Sequence, residues 1–459
     1  MKALKISDII EATHGTLLCG GTENEIANVL TDSRKIEDGC LFVALTGENF
    51  DGHDFLEAAF NKGAIAAIVS KDVVIEGKTI IKVENTLKAL GHIAALYRSQ
   101  FDIPALAITG SVGKTSTKEM CAAVLSQKFN VHKNQGNFNN EIGVPYTIFG
   151  LAESHDMLVC EMGMSGFGEI DSLSAMIKPD VSIMTNIGIS HIELLGSQEN
   201  IFKAKSEFVK NMKKGGTVII NGDDPILYSH KDELGDNVLT YGIKNEKADL
   251  VARDVEVKSD GISFKMEGLG KSLDITLSVL GEHNVYNALA ACSLAKVFDI
   301  DDEKVKNALK EHMPHDMRLC VVPCERFTII NDCYNAAPDS MRAALKVLSS
   351  REGRKVAVLG DMAALGEFSE KAHTIVGEEV VNNGVDVLIT IGNEAKIIAK
   401  AAEKSGMNKE NIYSFETTKD ATDSIENIIA SGDTILVKAS RVMKLEEVTD
   451  YLKGLSETK

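Results

Sequence analysis

The chain has 459 residues, of which 44% are hydrophobic and 25% are charged, and its formal net charge is -18. This length predicts about three domains, and the composition is that of a globular protein without a membrane-spanning run. The negative charge argues against nucleic acid as a partner, because phosphate backbones require a basic surface. The N-terminal residues lack the apolar core of a signal peptide, so we expect a cytoplasmic protein that does not insert into membranes.

The first region, residues 1–102, alternates short apolar runs with helical patterns and predicts a small α/β domain. It contains the sequence Asp32-Ser33-Arg34. Taken alone, Ser33 and Arg34 are more typical of a solvated turn than of a binding site. The sequence Asp102-Ile103-Pro104 is typical of a linker and marks the end of this domain.

A candidate phosphate loop follows, with the sequence Thr109-Gly110-Ser111-Val112-Gly113-Lys114-Thr115-Ser116. Apolar residues before the loop predict a buried strand, and helical spacing after it predicts a helix. Glycines in this position let backbone N–H groups face an anion, while Lys114 supplies a cation and Thr115 a hydroxyl for Mg²⁺. The full Walker A pattern has a glycine where this chain has Ile108, so only a shorter form matches. The segment predicts a nucleotide triphosphate site.

The second region, residues 103–313, alternates strand and helix patterns and predicts a central domain with a mainly parallel sheet covered on both faces. Ligands of such sheets gather at the carboxyl ends of the strands, where Glu161 and His191 fall. A carboxylate there can hold Mg²⁺, and a neutral imidazole can be a second ligand. Taken alone, His191 is more typical of an ordinary loop histidine than of a metal ligand. A phosphate loop nearby makes a metal ligand the favoured interpretation.

Lys205 lies in an unusual setting for a lysine. On a helical projection of residues 200–214, it falls in the middle of an apolar stripe with Ile201, Phe208 and Met212. This position predicts a side chain that points into the domain. Such a lysine reaches back to solvent, pairs with an anion, or loses its proton and becomes reactive, and the residues alone favour the first two outcomes.

Two further features belong to the second half of the chain. Asn284 and Asn287 share one face at the start of a predicted helix, where they can cap the helix or contact a base edge. The third region, residues 314–459, predicts a Rossmann-like α/β domain. No Gly-x-Gly-x-x-Gly follows its strands, which argues against a dinucleotide cofactor.

Several motifs spread over the whole chain resemble the Mur ligase family, the ATP-dependent amide-forming enzymes of peptidoglycan synthesis. Two stretches, 334–341 and 360–367, resemble the members that add D-alanyl-D-alanine to UDP-N-acetylmuramoyl-tripeptide. Small departures occur where the family more often has Ser, Asn and Gly, at Cys333, Ala337 and Ala439. The matching motifs include Asp32-Ser33-Arg34, Asp51-Gly52-His53, the phosphate loop, Gly136-Asn137-Phe138-Asn139-Asn140, Glu161-Met162-Gly163-Met164, His191, Ala204-Lys205, His283-Asn284, Asn287, Arg318, Asn331-Asp332 and Lys438-Ala439-Ser440-Arg441.

The resemblance implies three domains, a monomer, and two Mg²⁺ ions that assist ATP. It implies a reaction in which the tripeptide carboxylate is phosphorylated by ATP and the amine of D-alanyl-D-alanine then displaces phosphate. The implied catalytic residues are Lys114, Glu161, His191 and Lys205, the last carbamylated by CO₂. The implied metal ligands are Thr115, Glu161, His191 and Lys205. The implied ATP-binding residues are Thr109, Gly110, Ser111, Val112, Gly113, Lys114, Thr115, Ser116, Asn284, Asn287, Arg318 and Asp332. The implied contacts to the UDP-substrate are Ser33, Arg34, Asn137, Asn139 and Asn140.

Two other functions fit parts of the sequence. A ligase similar to folylpolyglutamate synthases shares the central and last domains, but it is not expected to carry the Asp32-Ser33-Arg34 domain. A phosphate-loop switch protein would require a guanine-reading Asn-Lys-x-Asp, and the chain has none. The amide-forming ligase is therefore the hypothesis that accounts for most of the motifs.

Overall fold

The computed structural model describes residues 1–258, 260–314 and 317–457 of the chain. The backbone divides into two compact units, each assembled from separate stretches of sequence. The first unit consists of Met1–Thr109, Lys128–Ile183 and Ala204–Val218. The second unit consists of Gly110–Gln127, Met184–Lys203 and Ile219–Lys459. None of the helices in the described ranges is long and apolar enough to cross a membrane.

The first hundred residues form a small α/β fold within the first unit. Its elements are strands β1 (Leu4–Lys5), β2 (Thr16–Cys19), β3 (Glu25–Ile26), β4 (Asn28–Leu30), β5 (Cys40–Val43), β6 (Ala66–Val69) and β7 (Thr79–Lys82), and helices α1 (Ile6–Thr13), α2 (Leu56–Asn61) and α3 (Thr86–Arg98). A five-stranded sheet has the order β2-β7-β6-β5-β4. Its strands β4 to β7 pair in parallel and β2 is antiparallel. The apolar runs of the sequence thus form buried, mostly parallel strands within an α/β fold.

The rest of the first unit carries parallel strands that precede parts of the candidate site. Its elements are β8 (Ala105–Thr109), β9 (Val131–Lys133), β10 (Met157–Glu161) and β11 (Val181–Met184), and helices α5 (Gly143–Phe149) and α6 (Glu169–Ile177). Helix α4 (Lys114–Leu125) lies between β8 and β9 in sequence but belongs to the second unit. Strand β10 pairs in parallel with β8 on one side and with β9 on the other. Strands β8, β10 and β11 are fully buried, which is typical of sheets covered on both faces.

The second unit contains a segment that departs from the predicted alternation of strands and helices. Its elements up to residue 311 include helices α7 (Ile192–Leu195), α8 (Gln198–Lys205), α9 (Pro225–Ser229), α10 (His283–Val297) and α11 (Asp302–Glu311), and strands β12 (Thr217–Asn221), β13 (Val238–Gly242), β14 (Leu250–Val257), β15 (Ile262–Gly268) and β16 (Lys271–Leu277). Strands β14, β15 and β16 form an antiparallel meander. Burial alternates residue by residue along β15, so one face of this sheet is covered and the other is more accessible.

The last region is a six-stranded sheet in the order β17-β18-β22-β19-β20-β21. Its elements are β17 (Cys320–Pro323), β18 (Thr328–Asn331), β19 (Lys355–Gly360), β20 (Val387–Ile391), β21 (Ile412–Phe415) and β22 (Thr434–Lys438), and helices α12 (Pro338–Ser349), α13 (Ser369–Asn382), α14 (Ala395–Lys404), α15 (Thr418–Ile425) and α16 (Glu446–Glu457). All pairings are parallel except that of β17. Alternate residues of β19 belong to two different apolar clusters, one on each face. This confirms the predicted Rossmann-like α/β fold.

The helix predicted around Lys205 is shorter than the apolar stripe indicated. Helix α8 ends at Lys205, and a 3₁₀ helix continues from Ser206 to Asn211. The side chain of Glu207 accepts hydrogen bonds from the backbone N–H groups of Gly168 and Asp171, at the start of α6. This carboxylate thereby satisfies N–H groups that have no partner within their own helix.

The Asp51-Gly52-His53 motif is a structural element of the first sheet. Ser70 N–H donates to His53 Nε2 at 2.9 Å, so His53 Nδ1 carries the proton and donates to Asp51 Oδ1 at 2.5 Å. A Cβ on Gly52 would lie 2.7 Å from the carbonyl oxygen of Leu45, so only glycine fits there. The hydrogen bonds from Lys71 and His53 hold the pKa of Asp51 well below its usual range. The motif therefore fixes the loop after β5 to Ser70, the residue that follows β6.

We expect Asp51→Asn to reduce the acid sensitivity of folding. Because the pKa of Asp51 is lowered in the folded state, its stabilising contribution is present above the unfolded pKa of about 3.9 and is lost as the pH falls. Urea unfolding between pH 6.5 and pH 3.5 should therefore show a weaker pH dependence for the variant. Asp72→Asn is the control, because Asp72 forms an exposed ion pair with Lys82 on the same domain. Identical pH slopes for wild type and Asp51→Asn would contradict this assignment.

Candidate active site

The predicted phosphate loop has a backbone that requires its glycines. Gly110 and Gly113 have φ angles of 140° and 84°. A Cβ on Gly110 would lie 1.9 Å from Thr185 Oγ1, and one on Gly113 would lie 3.2 Å from Asn287 Oδ1. Conformation and close packing therefore both select glycine at these two positions.

Asn186 fastens the loop from the end of strand β11. Its Oδ1 accepts hydrogen bonds from Ser111 N at 3.1 Å and Val112 N at 2.9 Å, and its carbonyl also accepts from Ser111 N at 3.0 Å. Thr185 Oγ1 donates to the carbonyl of Val112 at 2.6 Å. No sequence motif predicted a role for Asn186. The signal that could have found it is a polar residue close behind a buried strand, two positions after Met184.

The loop ends at the N-terminus of helix α4, where positive groups converge. Lys114 Nζ donates to the carbonyls of Gly110 at 2.8 Å and Ser111 at 3.2 Å, so the ammonium lies over the loop. Gly113 is the N-cap of the helix and supplies no capping side chain. The first turn of a helix presents backbone N–H groups and a partial positive charge to an anion. The arrangement fits a phosphate group.

Asn284 and Asn287 connect helix α10 to helix α4. Asn284 Nδ2 donates to the carbonyl of Leu280 at 2.7 Å, and Asn287 Nδ2 donates to Asn284 Oδ1 at 2.8 Å. Thr117 Oγ1 of α4 in turn donates to Asn287 Oδ1 at 3.0 Å. Both asparagines are buried. They hold the helix that follows the phosphate loop.

Arg318 also reaches this helix. Its Nη2 donates to Thr115 Oγ1 at 2.9 Å, and its guanidinium lies 4.0 Å from the ring centre of Tyr334. Its Nε is buried and has no hydrogen-bond partner among the described residues. A buried donor without a partner is costly, and an anion beside Thr115 would satisfy it.

Glu161 lies at the carboxyl end of β10 in the first unit, where two asparagines hold it. Asn139 Nδ2 donates to Glu161 Oε1 at 2.8 Å. Asn134 accepts from the backbone N–H of Glu161 at 3.0 Å and donates to its carbonyl at 3.3 Å. Glu161 is 2% exposed. The structure thus presents a buried, oriented carboxylate.

The remaining predicted metal ligands lie on different units. Lys205 belongs to the first unit and is 2% exposed, so the predicted burial is observed. His191 belongs to the second unit, is half-buried, and has a left-handed φ of 63° before helix α7. Among the described residues, no group of three or more His, Cys, Asp or Glu side chains could hold a metal ion. The predicted set differs from such a group because it includes a threonine and a lysine.

The predicted contacts to the UDP-substrate lie in the first unit. Arg34 forms a bidentate pair with Asp32, with Nε–Oδ1 and Nη2–Oδ2 distances of 2.9 Å, and this pairing lowers the pKa of Asp32 to about 2. The carbonyl of Ser33 accepts from Lys62 Nζ at 3.1 Å. Asn140 Oδ1 accepts from the N–H groups that begin α5, and Asn137 is exposed.

Three family models match successive parts of the chain and together cover most of it. The Mur ligase family catalytic domain matches residues 25–98, the Mur ligase middle domain matches residues 108–295, and the glutamate ligase domain of Mur ligases matches residues 317–441. The chain belongs to the Mur ligase family. Ligase activity and ATP use follow from this membership, as does the three-domain α/β architecture.

Relatives of this Mur ligase extend over its full length. A UDP-N-acetylmuramoyl-tripeptide--D-alanyl-D-alanine ligase of Bacillus subtilis is 38% identical and covers 97% of this chain and 98% of its own. The crystal structure of MurF from Acinetobacter baumannii superposes with a TM-score of 0.91 at 31% identity, covering 99% of both chains. MurF from Thermotoga maritima in complex with ADP has a TM-score of 0.84 at 28% identity and covers 94% of this chain and 98% of its own.

We expect Asn186→Ala to weaken ATP binding by about 10- to 100-fold, because it removes the side-chain acceptor of Val112 N–H and one of the two acceptors of Ser111 N–H. Calorimetric titration with ATP and Mg²⁺ measures this effect. Asn221→Ala is the matched control, since Asn221 ends strand β12 and its Oδ1 accepts from Asp223 N at 3.0 Å. A folded Asn186→Ala variant with wild-type affinity would exclude the role given to Asn186.

Proposed function

We propose that this Mur ligase joins D-alanyl-D-alanine to UDP-N-acetylmuramoyl-tripeptide and converts ATP to ADP and phosphate. The observation that carries the proposal is the full-length match to ligases of that name, 38% identical over 453 residues in one case and 35% over 457 in another. The match of residues 25–98 to a Mur ligase domain disfavours a folylpolyglutamate synthase. The reaction belongs to cytoplasmic precursor synthesis, because both nucleotide substrates are cytoplasmic.

The reaction has two chemical steps. The terminal carboxylate of the tripeptide attacks the γ-phosphorus of ATP, which forms an acyl phosphate and releases ADP. The amine of D-alanyl-D-alanine then attacks the acyl carbon, and the tetrahedral intermediate collapses to the amide and phosphate. A carboxylate is a poor electrophile, so phosphorylation supplies the leaving group. The protein mainly has to position the reactants and neutralise their charge.

The phosphate loop supports binding of the triphosphate. The loop from Thr109 to Ser116 would surround the phosphates with the backbone N–H groups that Asn186 does not hold, and the Lys114 ammonium would move from the loop carbonyls onto the phosphate oxygens. Arg318 would add a second cation, because its unpartnered Nε and its contact to Thr115 place it beside the loop. Asn284 and Asn287 would serve the nucleotide from helix α10, and Asp332 from the last domain.

Mg²⁺ fits the chemistry of two buried side chains. The Thr115 hydroxyl and the Glu161 carboxylate are oxygen donors, which Mg²⁺ prefers, and they are 4% and 2% exposed. When bound, Mg²⁺ would neutralise charge on the phosphate oxygens. Asn139 orients the Glu161 carboxylate through its hydrogen bond to Oε1. We assign a second ion to His191 and Lys205.

We further propose that Lys205 is carbamylated. Its side chain is buried, as are those of Ile201 and Phe208, and burial is costly for an ammonium. The neutral amine forms a bond to the carbon of CO₂ and releases a proton, which gives an anionic oxygen ligand. A carbamate accounts for a buried lysine at this position better than an ammonium that reaches back to solvent does.

The three domains would divide the work. We assign the UDP end of the substrate to residues 1–102, with Ser33, Arg34, Asn137, Asn139 and Asn140 as its contacts. ATP chemistry is assigned to residues 103–313, and the Arg318 and Asp332 side of the nucleotide site to residues 314–459. Lys62 beside the Ser33 carbonyl supports an anionic ligand in the first domain. We expect the active form to be a monomer.

ATP turnover should require both acceptor and donor. We expect phosphate release only when UDP-N-acetylmuramoyl-tripeptide and D-alanyl-D-alanine are both present. The tripeptide carboxylate takes the phosphate from ATP as an acyl phosphate, and the amine of D-alanyl-D-alanine then displaces that phosphate. The assay is run with tripeptides that end in lysine and in diaminopimelate, which also identifies the third residue. Turnover with folate and glutamate, and none with either muramoyl peptide, would refute the proposal.

Lys205→Ala should lower kcat by at least about 100-fold, the scale expected when a charged group at the reaction centre is lost. Formate or acetate should restore part of the activity, because a small carboxylate can occupy the vacated site. Lys203→Ala is the matched control, since Lys203 lies two residues earlier and is exposed. Full activity of the Lys205→Ala variant would refute the carbamate.

A further inference from the structure

Lys438 is a buried cation at the carboxyl end of strand β22, and it belongs to none of the roles assigned above. Its Nζ donates to Asp332 Oδ2 at 2.6 Å and to the carbonyl of Asn335 at 2.9 Å. The side chains of Lys438 and Asp332 are 2% and 12% exposed. Burying such a pair costs desolvation energy, so a hydrophobic pair of similar size would often be as stable. Its contribution to folding alone does not explain it.

The second oxygen of Asp332 holds the turn that carries Arg318. Asp332 Oδ1 accepts from the backbone N–H of Leu319 at 3.2 Å. On the other side of Arg318, the carbonyl of Met317 accepts from Tyr334 N–H at 3.2 Å. The residues on both sides of Arg318 are therefore tied to the segment that follows β18.

The turn at Arg318 needs this support because its backbone is strained. Met317 and Leu319 have φ angles of 60° and 50°, in the left-handed region that side chains other than glycine rarely occupy. Such a conformation persists only when surrounding contacts impose it. Within this turn, Arg318 stacks on Tyr334 and donates to Thr115.

We propose that Lys438 is a positioning residue for the nucleotide step. It fixes the Asp332 carboxylate, which fixes the turn at Leu319, which in turn sets the Arg318 guanidinium beside the phosphate loop before ATP binds. This inference rests on the proposed function, because it assumes that Arg318 meets the triphosphate. Lys438 itself contacts no phosphate in this scheme. Both oxygens of Asp332 are engaged by Lys438 and Leu319, so Asp332 serves the nucleotide by holding the Arg318 turn, and Lys438 acts through Arg318.

The same strand offers a matched control at its other end. Arg354, at the amino end of β19, forms a bidentate pair with Asp433, which precedes β22, with Nε–Oδ1 and Nη2–Oδ2 distances of 2.9 and 2.8 Å. The Asp433 side chain is 1% exposed. The carboxylate of this pair is buried, as is that of Asp332, and the pair lies at the opposite end of β22 from Lys438. Arg354→Met therefore tests the loss of an ion pair without the positioning effect.

The experiment is a double-mutant cycle between Lys438→Met and Arg318→Ala, read by calorimetric titration with ADP and Mg²⁺ and by kcat and KM for ATP. We expect Lys438→Met to weaken ADP binding and raise KM for ATP by about tenfold or more, and to add less than about twofold in the Arg318→Ala background. Lys438→Arg should retain most of the binding, because it keeps the cation. Arg354→Met should lower the melting temperature but change ADP affinity by less than about twofold.

Each opposite result has a defined meaning. If Lys438→Met costs as much in the Arg318→Ala background as in the wild type, Lys438 does not act through Arg318 and the inference is overturned. If wild-type protein binds no ADP, the proposed function fails instead. Should Lys438→Met not fold, the neutral pair Asp332→Asn with Lys438→Met replaces it in the same cycle. Amide exchange of residues 317–319 must be faster in the variant used and unchanged in Arg354→Met.

Discussion

The close packing of bare backbone at Gly110 and Gly113, between a buried strand and the helix that follows, is the constraint on which the proposed ATP site depends. A loop can bring several N–H groups to one anion only where side chains are absent, and Gly110 and Gly113 meet that condition. A glycine loop is also intrinsically flexible, so other residues must hold its shape. Asn186 does this from the neighbouring strand end, and Asn287 from helix α10.

In the last domain too, some residues hold in place the loops at the end of the sheet. Ser440 Oγ accepts from Ala363 N–H at 2.9 Å and donates to the carbonyl of Ala336 at 3.4 Å, so it ties together the loops after β18 and β19. The buried His373 accepts from Met362 N–H at 3.0 Å and fixes the second of these loops. The motifs of this domain thus converge at the carboxyl edge of one parallel sheet, as expected for an open α/β fold.

The polar residues around the candidate site are largely occupied by partners within the protein. Asn139 holds Glu161, and the two asparagines of α10 hold each other and Thr117. Residues that resemble ligand contacts in the sequence therefore orient other residues in the structure. Such preorganisation lowers the free energy needed to assemble the site when the substrates bind.

Amino-acid order alone determined the α/β class, the strand, glycine loop and helix around Lys114, the burial of Lys205 and the family, because each depends on local periodicity or on contiguous motifs. It did not predict the antiparallel meander of β14 to β16, nor the early end of helix α8. Only the tertiary structure showed which residues Asn186 and Lys438 hold, because their partners are distant in sequence: 74 residues separate Asn186 from Val112, and 106 separate Lys438 from Asp332. Hydrogen bonds across such separations are decided by how strands are ordered in a sheet, and that order is a property of the whole chain.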